Sequence, residues 1–438
     1  MAQPDRWIVV GGGASGLAAA WFLEQRGLRA VIVERDGTLG GRMGTVQLGD
    51  RSLDCGGKNI GRRYHLFRQF TASLGSHPYE YFGLNSSQVV DGRVRTFDGQ
   101  ARWRTMADLG RGVAAADVMR FGRLVWRVKR DESTGYLGSD YSRQLGQRYD
   151  DQPASRHFSP QFCRRILRPM SVRMNGAEPD EVFVGNLTSN VRMILDSYEQ
   201  LANGLGPLLS DCRDRYEVCL NTATEGLLVE SGRVAGVRTR RADGSTGELR
   251  GAGVIVSTPA NVAATLTDSA LPGLARRLRS IAYYPVSLVI AEYEKPVFTS
   301  RARAFVFDGD EALSNAGAYG VNDLNLVRYT FSGRTARRLV ADAADPEALL
   351  RMGEAALGRH ASLAGNRRRR FVARSFAPGL CAYAPRHAEV LDGIRDELQS
   401  APGLHLTGDY LQGASIEACF RAASACVGQI AATPTRAH

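Results

Sequence analysis

Gly11, Gly13 and Gly16, with Glu34 eighteen residues beyond the last of them, carry the first legible chemistry in this sequence. Gly11 permits a tight turn, Gly13 lets the backbone approach a pyrophosphate, and Gly16 lets a helix pack closely on a strand. Ala14 and Ser15 complete the turn, and the helix start that follows offers free N–H groups and positive potential to phosphates. The flanking residues suit this arrangement. Trp7-Ile8-Val9-Val10 is a short apolar run of the kind found in buried parallel strands, and Leu17 to Leu23 is a good helix sequence. Ala30-Val31-Ile32-Val33 is a second buried strand with Glu34 at its end, where a carboxylate can accept hydrogen bonds from ribose hydroxyls. A glycine-rich turn without a ligand would explain the glycines but not Glu34, so a dinucleotide site is expected.

The continuation adds a second glycine pair and an arginine, Glu34-Arg35-Asp36-Gly37-Thr38-Leu39-Gly40-Gly41-Arg42. Two glycines let the backbone pass close to a cofactor, and Arg42 can pair with phosphate. This segment resembles the fingerprint of the superfamily of amine oxidases, protoporphyrinogen oxidases and phytoene-type desaturases. The resemblance implies FAD, held by the first glycine turn with Glu34 and Arg35 and by Gly40, Gly41 and Arg42.

Further stretches carry the same likeness. Leu53 to Ile60 resembles the loop that passes the isoalloxazine ring, with Gly56 and Gly57 suited to close approach. Lys58, one of three lysines, could present its ammonium to the flavin or to a substrate carboxylate; the alternative is a solvated lysine in a turn. The likeness implies an adenine contact near Ala223 or Thr224. Gly408-Asp409 ends a strand where a carboxylate can bond the ribityl chain. Ser415 and Ile416 open a C-terminal helix whose N-terminus would stabilise negative charge on the reduced ring. Ala382 to His387 resembles a Tyr-Pro-x-Gly-His stretch of protoporphyrinogen oxidases, with Arg386 in place of the glycine. Tyr383 and His387 join Lys58 as candidate catalytic groups, although a lone histidine is more often structural. Amine oxidases carry a lysine on the strand matching Val286 to Ala291; alignment places Leu288 there, which argues against a conventional amine oxidase. Arg168, Arg173 and Asn175 either point into the pocket or serve as capping and surface residues.

These elements imply an α/β chain: a Rossmann-type FAD-binding domain with a discontinuous α+β substrate-binding domain. The expected FAD-binding segments are 1–75, 200–275 and 390–438, and the substrate-binding segments 76–199 and 276–389. Met106 to Arg127 reads as amphipathic helix of the substrate domain.

Bulk properties exclude several classes. The chain has 438 residues, 44% hydrophobic and 23% charged, a globular composition. No apolar run approaches the roughly 20 residues of a membrane-spanning helix, and no leader is evident, so a cytoplasmic location is expected. Seven scattered cysteines without a C-x-x-C read as reduced thiols, with no metal spacing. The net charge of +11 is spread along the chain without a nucleic-acid motif. Arg367 to Arg370 reads as a solvated loop entering a strand, or as a docking patch for an acidic carrier, a membrane surface or a carboxylate-bearing substrate. The expected activity is two-electron dehydrogenation of a small organic metabolite by hydride transfer to flavin N5, with O2 as acceptor. Amine or amino-acid oxidation, redox-neutral isomerisation and a non-catalytic flavin role are the alternatives.

Overall fold

The short β-branched runs flanked by glycine turns become a parallel sheet in the computed structural model, which describes residues 6–81, 86–90, 93–96, 113–299, 302–307, 311–340 and 345–432. The strands lie in the order Glu217–Cys219, Arg29–Val33, Arg6–Val10, Gly253–Val256 and Leu404–Leu406, every pair parallel. Ile8, Val9, Ile32 and Ile255 are wholly buried because both faces of this sheet are covered. Each such side chain contributes roughly 1.5–3 kcal/mol relative to an exposed one.

One face packs against the helices Ala14–Glu24, His65–Leu74 and Ile416–Ala432, through Trp21, Phe67, Phe70 and Phe420. The antiparallel strands Thr222–Glu230, Arg233–Arg241 and Thr246–Arg250 form a separate sheet that begins beside Glu34, where the Thr222 N–H donates to the Glu34 carbonyl at 2.9 Å.

A seven-stranded sheet runs Arg368–Tyr383, Ala282–Tyr293, Leu326–Phe331, Leu313–Ala318, Ala304–Val306, Ser86–Val90 and Arg93–Thr96. Its described pairs are antiparallel except Ala304–Val306 with Ser86–Val90. Strand alternation divides its residues between two faces. Val289, Ala291, Tyr293, Val327, Tyr329 and Phe331 enter an apolar core that includes Leu349 and Leu350 of the helix Pro346–Leu357. Leu288, Ile290, Leu326 and Arg328 take the opposite face, and Ile290 and Leu326 pack there with Leu48 and Leu53 from the hairpin after the second glycine turn.

Helices fill much of 113–194, including Ala115–Arg130, Asp140–Tyr149, Arg168–Asn175 and Leu187–Ile194. The earlier part of the expected amphipathic stretch, Met106 to Leu109, lies outside the described residues. The arginine quartet is less free than a solvated loop. Arg368 begins a long strand, Arg367 pairs with Glu294, Arg368 with Glu347 and Glu354, and Arg370 with Glu292 and Asp50. Their charge is largely answered within the protein, which weakens the docking reading.

Glu417 ties two of the helices together. Wholly buried, its carboxylate accepts from the N–H groups of Leu66 at 3.1 Å and Phe67 at 3.2 Å, capping the helix His65–Leu74 from a neighbouring helix. Glu417→Ala leaves those donors unmet in the core and should cost about 1–3 kcal/mol in urea unfolding. Glu417→Gln keeps an acceptor oxygen and should cost clearly less; equal losses would show that the cap is not what the carboxylate supplies.

Candidate active site

Three glycine turns are knitted together beyond the carboxyl end of the central strand Arg6–Val10. The Gly40 N–H donates to the Gly12 carbonyl at 2.9 Å, Gly13 and Gly40 form a β-bridge, and the Gly57 N–H donates to the Arg42 carbonyl at 2.9 Å. Such approach leaves no room for side chains at some positions. A Cβ on Gly16 would overlap the Gly11 carbonyl, and one on Gly56 would overlap the Arg42 carbonyl. Gly11, at φ 100°, and Gly40, at φ 109°, have backbones that other residues rarely adopt.

Gly13 and Gly57 are different. Gly13 has φ −81°, and an added Cβ would meet nothing nearer than the Gly40 carbonyl oxygen at 3.8 Å. At Gly57 it would meet nothing within 4 Å. Protein packing does not require glycine at either place. The open space beside them is what close passage of a dinucleotide needs, so the cradle fits FAD.

Glu34 ends its strand beside this cradle. One carboxylate oxygen accepts from the Gly12 N–H at 2.6 Å and the other from Asp36 N–H at 2.9 Å. Arg35 points away, 68% exposed, with Asp36 3.6 Å distant. Ala223 and Thr224 are half-buried on the strand that starts next to Glu34.

Arg42 and Asp409, expected to meet phosphate and ribityl groups, engage each other at 2.6 Å. The second Asp409 oxygen accepts from the Tyr283 hydroxyl at 2.6 Å, and Arg42 also donates to the Gly379 carbonyl at 3.0 Å. Burial opposes the Arg42 charge, but Asp409 and Tyr283 outweigh it and hold its pKa above the ordinary value. Gly408 and Asp409 thus join the flavin-binding sheet to the strand Ala282–Tyr293. Nothing near Tyr283 in the sequence signals this role.

Ser415 caps the C-terminal helix. Its hydroxyl accepts from the Ala418 N–H at 3.1 Å and from Arg192 at 2.6 Å, while Ile416 is buried behind it. Arg192 in turn lies over the Tyr136 ring at 4.4 Å and pairs with Glu132 at 3.3 Å.

Lys58 is not the solvated lysine that a turn would allow. It is buried, donating to the Gln200 amide oxygen at 2.6 Å and to the Tyr319 carbonyl. Burial pushes its pKa down to about 7, helped by Arg328 and opposed by Asp54, Asp323 and Glu80. Arg328 donates to the Gly56 carbonyl at 2.7 Å, from the sheet face that carries Leu288. Burial draws the Arg328 pKa down as well. A charged residue within the apolar strand Leu326–Phe331 was the available signal for it.

Tyr383 and His387 lie deeper. The Tyr383 phenol is buried, which pushes its pKa well up. Both His387 nitrogens are engaged: Nδ1 accepts from the Ala384 N–H at 3.3 Å, and Nε2 sits 2.7 Å from the Tyr410 carbonyl. Burial lowers its pKa to about 4, so the ring is a neutral anchor between chain segments. Arg386 retains a left-handed backbone at φ 48°, the conformation a glycine would adopt easily. Arg168 pairs with Glu178 at 2.8 Å, and Asn175 donates to the Cys381 carbonyl at 2.9 Å. Among the described residues no group of His, Cys, Asp and Glu could hold a metal ion, the seven cysteines are free, and no helix is long and apolar enough to cross a membrane.

The two kinds of glycine predict different failures. Gly13→Val should abolish bound FAD while leaving the far-ultraviolet circular dichroism unchanged. Gly16→Val should lower the unfolding midpoint even of flavin-free protein, because it collides with backbone. Full FAD content in Gly13→Val would mean the space beside Gly13 is not the cofactor's.

Bovine amine oxidase [flavin-containing] B is 30% identical over 122 residues, covering 24% of each chain. The chain thus matches about a quarter of the length of such curated relatives. Over the whole fold, a candidate protoporphyrinogen oxidase from Exiguobacterium sp. 255-15 superposes with a TM-score of 0.72 at 18% identity, covering 98% of this chain and 99% of the other. Cyclohexylamine oxidase from Brevibacterium oxydans IH-35A gives 0.72 at 17% identity, with 98% and 99% covered. The sequence pattern of the flavin containing amine oxidoreductases matches residues 14–431, and the chain belongs to that family.

Proposed function

We propose that this chain catalyses two-electron dehydrogenation of a small organic metabolite at a C–H bond next to nitrogen or in an activated carbon–carbon unit. The observation that carries this reading is Lys58, a buried amine beside the Gly56-Gly57 turn with a pKa near 7. FAD, held by the glycine turns with Glu34 beside them, would supply the two-electron acceptor for this C–H bond, with O2 as the terminal oxidant.

The protein's own contribution is positional and electrostatic. The neutral Lys58 amine can satisfy both Gln200 and Tyr319 with its hydrogens, and it can take up a proton as the substrate loses its electron pair. Gln200 fixes the amine, and its own amide nitrogen is held by Glu80. Leu288 supplies apolar surface on the neighbouring sheet face, which helps keep water from the reacting C–H.

Amine oxidation is the second reading, favoured by the family match and by relatives named as amine oxidases. Buried Leu288, at the aligned position where amine oxidases carry a lysine, separates this chain from the conventional members. A cation is nevertheless supplied to the same face from the adjacent strand, by Arg328.

Anaerobic single-turnover reduction of the flavin tests the role of Lys58. Substrates to be screened are cyclic imines and amines, tetrapyrroles, polyenes and carrier-bound acids. The reduction rate should rise with pH through an inflection near 7, as the amine loses its proton. Lys58→Met should remove that inflection and slow reduction roughly 100-fold or more while retaining FAD. An unchanged rate and pH profile in Lys58→Met would exclude Lys58 from the chemistry. A flavin bleached by none of these compounds would count against the oxidase reading.

A further inference from the structure

The helix Ala115–Arg130 meets the rest of the protein on one side only. Leu124 and Val128 are buried there, and Phe121 and Val125 pack with them against a core that includes Phe162 and Leu167. The Phe121 and Phe162 rings meet edge to face at 5.4 Å. Asp117, on the same side, accepts from the Ser159 N–H at 2.9 Å. Asp117, Phe121, Leu124 and Val128 recur three or four residues apart, which is one stripe of a helix.

The opposite side carries two further stripes. Ala115, Met119, Gly122 and Trp126 follow one another at the same spacing, with Val118 beside them. Met119 is 58% exposed, Trp126 57% and Val118 46%. Arg120, Arg123, Arg127 and Arg130 form the adjoining stripe, and Arg130 lies over the Trp126 ring at 5.3 Å. Lys129 closes the apolar stripe, three residues after Trp126. Asp117 is the one acid of the helix, and it faces inward, 3.5 Å from Arg120. Among the described residues no salt bridge engages Arg123, Arg127, Lys129 or Arg130.

Cations in a last turn answer the helix dipole, which accounts for Arg127, Lys129 and Arg130. It does not account for Arg123, two turns earlier, or for exposed Met119 and Trp126. Apolar side chains exposed singly are ordinary. Here three of the eight large apolar side chains exposed among the described residues share one helix of 16 residues.

Whatever covers this face must offer apolar surface with negative charge alongside. A second copy of the helix would set one row of arginines against another. A groove on an acidic partner would wrap the helix, but its inner half is already packed into the protein. A bilayer with anionic headgroups needs only the outer half. Acyl chains receive Val118, Met119 and Trp126, and long arginine stems let the guanidinium groups stay among phosphates. Tryptophan also settles at that boundary. We propose that the helix Ala115–Arg130 docks the protein on an anionic membrane surface. It lies flat, with Met119 and Trp126 inserted and Arg123, Arg127 and Arg130 at the headgroups. The proposal is independent of the oxidase reading.

Flotation of the FAD-loaded full chain with lipid vesicles is the test. Vesicles of phosphatidylcholine alone are compared with vesicles containing about one-third phosphatidylglycerol. The anionic vesicles should bind about ten-fold tighter or more at low salt. Met119→Ser combined with Trp126→Ser should weaken that binding roughly ten-fold. Arg123→Gln combined with Lys129→Gln should remove most of the anionic preference, about five-fold per charge. Arg369→Gln, an exposed charge elsewhere on the surface, should bind as the unaltered protein. All four altered side chains of the helix are exposed, so FAD content and melting temperature should not change. Trp126→Ala alone serves if a double variant loses its flavin. Equal binding to the two kinds of vesicle, or binding to neither, would overturn the proposal. So would anionic binding that survives either pair of substitutions undiminished. A dimer that the Met119 and Trp126 substitutions dissociate, without vesicle binding, would assign the face to a second copy instead. Polyglutamate binding that depends on both pairs, again without vesicle binding, would assign it to an acidic protein.

Discussion

The contact on which the site depends is the three-way junction of Arg42, Asp409 and Tyr283. It joins the turn after the second glycine pair, the end of the last parallel strand and the start of a long strand in the seven-stranded sheet. These segments lie 367 and 126 residues apart in the chain. The Asp409 carboxylate is 5% exposed, so removing either partner would leave a buried charge less well compensated. Both the cofactor cradle and the sheet face carrying Arg328 are referenced to this junction, since Arg42 also accepts the Gly57 N–H through its carbonyl.

A second theme is the use of burial to set charge. Lys58 and Arg328 are desolvated beside the same glycine turn, and Arg328 further lowers the preference of Lys58 for a proton. Asp54 restrains the effect, but its carboxylate is itself buried, accepts from the Leu205 N–H at 2.8 Å and has a raised pKa. The outcome is an amine poised near neutrality, with burial and Arg328 on one side and Asp54, Asp323 and Glu80 on the other. His387 shows the opposite use of burial: its nitrogens are consumed by backbone groups, and the ring holds Ala384 against Tyr410.

The cofactor elements were legible because each is local. A strand, a glycine turn, a helix start and a terminal carboxylate occupy about thirty residues, and their physics is complete within that span. The strand at Val286 to Ala291 was equally readable, although which of its two faces meets the cofactor was not. Arg173 illustrates the limit. Its sequence neighbours allow a cap, a surface residue or a pocket group, and the choice depends on strands and helices far away in the chain.

By itself, then, the sequence determined the FAD-binding architecture and the family, since glycine geometry and apolar periodicity act over short distances. Tertiary structure decided which charges have partners. It paired Arg42 with Asp409, closed Lys58 inside a polar shell and occupied both nitrogens of His387. Desolvation and ion pairing depend on every neighbouring segment at once, and no local pattern encodes them.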